Sequence, residues 1–232
     1  HYRCGKEPSR RHWPGSVSTF TTFSLTHELE SYQGRPELER FIALLHQQLA
    51  LGGRWLNVDV VGPEDPDTPV LLWLNSADGR SDDYDAEFAD EERVRFKQYL
   101  SGLSTLGRFQ RFARDFRRAE GYHLRHEWKT IDGETHVSLR LADACEFLSK
   151  KDYLDNWNSE MHETFCYWSF SDWKSAVERA GFVVQSASHA FTNPWIVTNR
   201  LEGKARLYQM VGTIPQPMPW PVTNMLLVAE KR

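Results

Sequence analysis

Two stretches of β-forming residues, Val17 to Leu25 and Trp55 to Val61, flank one helical stripe and a Gly-Gly pair, and this spacing narrows the fold more than any other feature. Pro36 is placed to open the helix, and Leu38, Phe41, Ile42, Leu45 and Leu49 recur at the spacing of one buried helical face. Gly52-Gly53 is expected to end that helix, after which Leu56, Val58 and Val60 alternate onto one face of a strand. Strand, helix, strand in this order is a βαβ unit and predicts a parallel pair.

At 232 residues, 40% of them hydrophobic and 26% charged, the chain is long enough for one sizeable core, or one core with an insertion, and too apolar to be disordered. A formal charge of −4 argues against general nucleic-acid binding, which needs a basic surface. Three cysteines make no even disulfide set, so a reducing, cytoplasmic setting is expected. The apolar runs, Met225 to Ala229 among them, are too short to cross a bilayer. Tyr2-Arg3-Cys4-Gly5 reads as the end of a strand already under way, which suggests a fragment whose upstream domain lies in the same polypeptide.

Pro63 to Pro69 is turn-rich, and Ser76 to Glu92 is acidic with few large apolar residues. Glu91 to Glu120 has a helical pattern ending in Arg108, Arg111, Arg114, Arg117 and Arg118, which fits either a solvated face or contact with an anionic substrate. His123 to Leu141 alternates around an Ile131-Asp132-Gly133-Glu134 hairpin turn. Ser169 and Asp172 are spaced as a capping box before the stripe Trp173, Ala176, Val177 and Ala180, and Gly181 stops that helix. Phe182 to Ala190 and Val222 to Ala229 are the last strand candidates.

The stretch Ser18 to Leu29, ending Ser24-Leu25-Thr26-His27-Glu28-Leu29, resembles the fourth strand of class I S-adenosylmethionine-dependent methyltransferases and the His-Glu pair after it. Leu49-Ala50-Leu51-Gly52-Gly53-Arg54 is similar to that family's Gly-Gly turn before strand five, with Leu51 in place of the usual Pro, and Trp55 to Asp59 resembles strand five with its terminal acidic residue. Trp173 to Phe182 resembles the helix ending in Ala-Gly-Phe before strand six, and Asn224 to Lys231 the antiparallel strand seven. The glycine-rich first motif is absent, as is the acidic residue that would hold the ribose. The resemblance implies an α/β, Rossmann-like, mainly parallel sheet with an antiparallel last strand and a largely helical insertion. It divides the chain into a βαβ core over 1–62, an insertion or lid over 63–165, and a helix with strands over 166–232 that completes the core.

The activity implied is methyl transfer from S-adenosylmethionine to a small molecule, and the alternative is a noncatalytic, methyltransferase-like binding or scaffolding module. Open α/β sheets bind ligands at the carboxyl ends of their strands, which points to Ser24 to Tyr32 and Asp59 to Gly62. His27 is the candidate general base and Glu28 its orienter, with a brace for the following helix as the plain alternative. Glu7 and Ser24 are the candidate cofactor contacts, and Tyr32, Asp59, His162, Asn193 and Trp195 the candidate substrate contacts. His162-Glu163 stands beside Phe165, Tyr167 and Trp168 in what reads as an aromatic lid. His123, His126 and Glu127 match no metal-ligand frame, so no metal is expected.

Overall fold

The computed structural model describes residues 14–232. Strand β1 (Val17–Phe23) turns through Ser24 and Leu25 into helix α1 (Thr26–Gln33), and Gly34 leads to helix α2 (Arg35–Gln48), with Pro36 in its first turn. Strand β2 (Leu49–Val60) then lies parallel to β1, with Phe20 beside Trp55 and Thr22 beside Asn57. Gly52-Gly53 does not end the helix, which stops at Gln48. The pair forms a bulge inside β2, where the register passes from Val17–Leu49 to Thr19–Arg54. A Cβ on Gly53 would stand 2.8 Å from the Ala50 carbonyl oxygen and 3.0 Å from that of Val17, so the close approach requires glycine.

The first sheet runs β1-β2-β10-β6, where β10 is Asn224–Lys231 and β6 is Phe182–Val184, and β7 (His189–Phe191) pairs with the other half of β10. One face is covered by Leu38, Ile42 and Leu45 of α2 and by Trp173, Ala176 and Val177 of α7 (Phe170–Arg179). These pack on Trp55, Met225, Leu227 and Ala229, all fully buried, and each large side chain removed from water contributes about 1.5–3 kcal/mol. Ser169 caps α7: its Oγ accepts from the Asp172 amide while the Asp172 carboxylate accepts from the Ser169 amide.

A second sheet, in the order β4-β5-β3-β8-β9, comprises β3 (Pro69–Leu74), β4 (Glu127–Ile131), β5 (Glu134–Arg140), β8 (Ala205–Val211) and β9 (Ile214–Pro217). Asp132 and Gly133, with φ of 52° and 81°, make the two-residue turn between β4 and β5. Helices α3 (Arg93–Gly102), α4 (Thr105–Asp115) and α5 (Leu141–Lys150) contribute to a second core around Leu72, Phe109, Phe112, Val137 and Phe147. Short helices α6 (Trp157–Glu160) and α8 (Pro194–Ile196) precede and follow α7.

The expected mainly parallel sheet is overturned. Among the described residues β1–β2 is the only parallel pairing between named strands, because β10 is reversed and sits inside the sheet, so its pairings with β2, β6 and β7 are all antiparallel. The insertion carries strands as well as its helices. Residues 63–165 supply β3, β4 and β5 to a wholly antiparallel sheet that β8 and β9 complete from further along the chain.

Candidate functional site

Trp55, Asn57 and Asp59 share the fully buried face of β2, whereas Leu56, Val58 and Val60, the expected inward face, are only half-buried. Polar residues hold the inward positions because they satisfy one another. The Trp55 indole donates to Thr22 Oγ1 (2.8 Å), which donates to Asn57 Oδ1 (2.8 Å), and Asn57 Nδ2 donates to Thr26 Oγ1 (3.1 Å). Thr26 in turn donates to Asp59 Oδ2 through its hydroxyl (2.5 Å) and its amide (2.7 Å). A complete chain of donors and acceptors of this kind is what makes polar burial tolerable.

The chain ends at His27, in the first turn of α1 and 6% exposed. Its Nδ1 lies 2.6 Å from Asp59 Oδ1 and its Nε2 lies 3.4 Å from Glu163 Oε2. Tyr32, one turn further along α1, donates from its hydroxyl to Glu163 Oε1 at 3.1 Å. Burial works against a charged ring, but the hydrogen bonds to Asp59 and Glu163 outweigh it and raise the His27 pKa from 6.5 to about 9. For Asp59 and Glu163 burial would raise the pKa, and the bond and charge of His27, together with Thr26 and Val60 for Asp59 and with Tyr32 and Lys150 for Glu163, offset it and leave both below the usual carboxylate range. The cluster is therefore an imidazolium held between two carboxylates.

Glu163 arrives on the segment between α6 and α7, which crosses the carboxyl ends of β1 and β2. Gly62, just past β2, permits this: its amide donates to the Trp168 carbonyl (2.9 Å), and a Cβ there would meet the Cys166 backbone at 3.0 Å. Ser31 Oγ accepts from the Thr164 amide (2.8 Å), and Glu146 Oε1 accepts from the amides of Phe165 (2.8 Å) and Cys166 (2.7 Å). Lys150, fully buried, pairs with Glu146 Oε2 (2.9 Å) and donates to the Glu163 carbonyl. Glu160 lies in the same cluster. Burial, then the Glu163 carboxylate, push its carboxyl up to about 7, and its Oε2 has no hydrogen-bond partner among the described residues.

The structure brings His27, Asp59 and Tyr32 together. Glu28 is exposed on α1 and makes no hydrogen bond or ion pair with His27, so the orienting groups are Asp59 and Glu163. Ser24 is exposed with φ of 46°, its amide donating to the Val58 carbonyl. His162, the neighbour of Glu163, pairs instead with Glu120 at 2.7 Å. Asn193 caps α8 by accepting from the Trp195 amide (3.0 Å), and Trp195 is exposed with the Arg200 guanidinium over its ring. Both follow β7 at the end of the sheet that carries His27, without a recorded contact to it. Glu7 lies outside the described residues. Sequence reasoning missed Asn57, Glu146, Lys150 and Glu160 as members of this network. The acidic spacing Glu160–Glu163 was the available signal, and it marks nothing until the segment is folded over α1.

Among the described residues no helix is long and apolar enough to cross a membrane, and no group of three or more His, Cys, Asp or Glu is placed to hold a metal ion. No protein-family model and no curated protein matches the chain. Among solved structures it is similar to an S-adenosylmethionine dependent methyltransferase from Mesorhizobium loti, at 12% identity and a TM-score of 0.37, over 94% of this chain and 64% of that one. The chain thus spans under two thirds of that protein's length. The likeness is one of fold at most.

Proposed function

We propose that the chain forms the acceptor-side part of an S-adenosylmethionine-dependent methyltransferase acting on a small molecule. The observation that carries this reading is the His27–Asp59–Glu163 cluster at the carboxyl ends of the parallel pair β1 and β2, where open α/β sheets bind ligands. S-adenosylmethionine, when bound, supplies an electrophilic methyl group on a cationic sulfonium. The donor set suits a neighbouring cation, with the carboxylates of Glu163 and Glu28 near Tyr32 and the unpartnered Oε2 of Glu160 beside them.

In this reading His27, charged at neutral pH, is a positioning residue that fixes Glu163, rather than a general base. Glu163 and the Tyr32 hydroxyl orient the acceptor. Holding the acceptor in line accounts for most of what such a site must do. Chemical-shift mapping tests it: S-adenosylmethionine at millimolar concentration should perturb amides around Thr26 to Ser31 and Asp59 to Gly62. S-adenosylhomocysteine, which lacks the positive charge, should perturb them less. No response at these residues to either compound overturns the proposal.

A noncatalytic, methyltransferase-like module is the second reading, and it is favoured by the engagement of both ring nitrogens of His27 by carboxylates. A parent protein that transfers no methyl group, with a His27→Gln protein that melts earlier yet binds as before per folded molecule, selects the brace over the site.

A further inference from the structure

The five arginines toward the end of the 91–120 segment have different fates. Arg108 pairs with Asp152 (3.0 Å), Arg111 with Asp115 (2.5 Å) and Arg114 with Glu87, while Arg118 is exposed. Arg117 has no ion-pair partner within 4 Å among the described residues, and its Nε is buried without an acceptor. Its backbone has φ of 50°, in the left-handed region that a residue with a Cβ rarely occupies. The strain is held by the Arg117 amide donating to the Met161 carbonyl (2.8 Å) and by the Tyr122 amide donating back to the Arg117 carbonyl (3.0 Å). Strain of this kind costs about 1–3 kcal/mol and persists where the surroundings impose it.

Arg117 lines a cavity of about 130 Å³ between the α4–β4 connection, the start of α5 and the segment that carries Glu163. The other charges around it are matched. Arg140 is paired with Asp143 (3.1 Å) and Asp67 (2.9 Å), Tyr122 donates to Asp143 (2.7 Å), and Glu146 is held by Lys150 (2.9 Å) and two backbone amides. Tyr167 also lines the cavity, with its buried hydroxyl toward Thr26 and Asp59. A half-buried guanidinium whose Nε lacks an acceptor therefore borders a cavity with room for about four waters at about 30 Å³ each.

We propose that this cavity binds a small oxyanion, a phosphate or carboxylate group, through the Arg117 guanidinium. A buried N–H without an acceptor is costly, and an anion of this size supplies the acceptor that Nε lacks. The cavity shares the segment bearing Thr164 and Cys166 with the His27 cluster, so the oxyanion is either a free ion or a group on a ligand that also reaches the site.

The test is NMR titration of the full chain with inorganic phosphate and, separately, acetate, at matched ionic strength, read at the Arg117 Nε–H in the parent and at the backbone amides of Tyr122, Thr164 and Cys166 in every variant. Saturable shifts are expected with at least one anion, in the parent and in Arg118→Gln, with binding weakened at least about tenfold in Arg117→Gln. A response to phosphate alone identifies a phosphate group, a response to acetate alone a carboxylate, and equal responses any small oxyanion. No saturable shift with either ion overturns the proposal, as does equal affinity in Arg117→Gln. If Arg117→Gln does not fold, the titration of the parent decides by itself. A chloride arm at the same ionic strength separates binding from screening, since a matching shift with chloride also overturns it.

Discussion

Nδ1 of His27 lies 2.6 Å from Oδ1 of Asp59, which joins the first turn of α1 to the end of β2. Asp59 is completed by the amides of Thr26 and Val60 and by the Thr26 hydroxyl, so its carboxylate organises the whole β1–α1 turn.

This pair makes stability fall with rising pH. The folded pKa of His27 is about 9 against an ordinary 6.5, so the folded state binds more protons than the unfolded one between those values. The contribution is fully present below about pH 6.5 and is lost as pH rises through about 9, and the difference is on the order of 3 kcal/mol. Urea unfolding across this range should show the decline, and His27→Gln should flatten it. A stability that stays level from neutrality to pH ~9 in the parent would remove the imidazolium from the account.

Asp59→Asn keeps the shape and removes the charge. The amide nitrogen would then face either the two Thr26 donors now on Oδ2 or the Val60 amide and His27 Nδ1 now on Oδ1, and breaking a buried pair of this kind costs about 3–5 kcal/mol. The His27 ring resonance should titrate lower than in the parent. An unchanged His27 titration would mean that Asp59 does not hold its proton.

Gly62→Ala probes the covering segment. The new methyl would meet the Cys166 backbone at 3.0 Å, and overpacking against backbone costs about 1–3 kcal/mol. Because the same segment carries Glu163, the His27 titration should also move down. Loss of stability with His27 unmoved would separate the Gly62 contact from the site.

Lys150 is fully buried, between Glu146 and the Glu163 carbonyl, with Phe165 and Phe116 against its ammonium. Lys150→Met should destabilise by about 3–5 kcal/mol by leaving Glu146 without its counter-charge. Hydrogen exchange of the Phe165 and Cys166 amides should quicken more than that of α7. Uniform quickening throughout the chain would instead indicate only global loss of stability.

Much of the local structure was legible in the residues. The α2 stripe, the Asp132-Gly133 turn and the Ser169–Asp172 cap depend on neighbours a few positions away, so the sequence pattern carries them directly. The inward face of β2 was read the wrong way round because hydrophobic alternation favours Leu56, Val58 and Val60. The partners that make Asn57 and Asp59 inward residues, Thr22, Thr26 and His27, lie more than thirty positions away in the chain.

By itself the sequence determined the β1–α2–β2 unit, since apolar period and turn chemistry act within each segment, and the reversed last strand followed from the family resemblance. It also placed His27 and Asp59 at the carboxyl ends of neighbouring strands. Tertiary structure alone decided that β10 would sit inside the sheet, that the insertion would build a second antiparallel sheet, and that Glu163 rather than Glu28 would meet the His27 ring. Strand pairing and a salt bridge across 136 positions are chosen by which surfaces fit and which charges are left unmatched once the segments meet, and no local propensity encodes that competition.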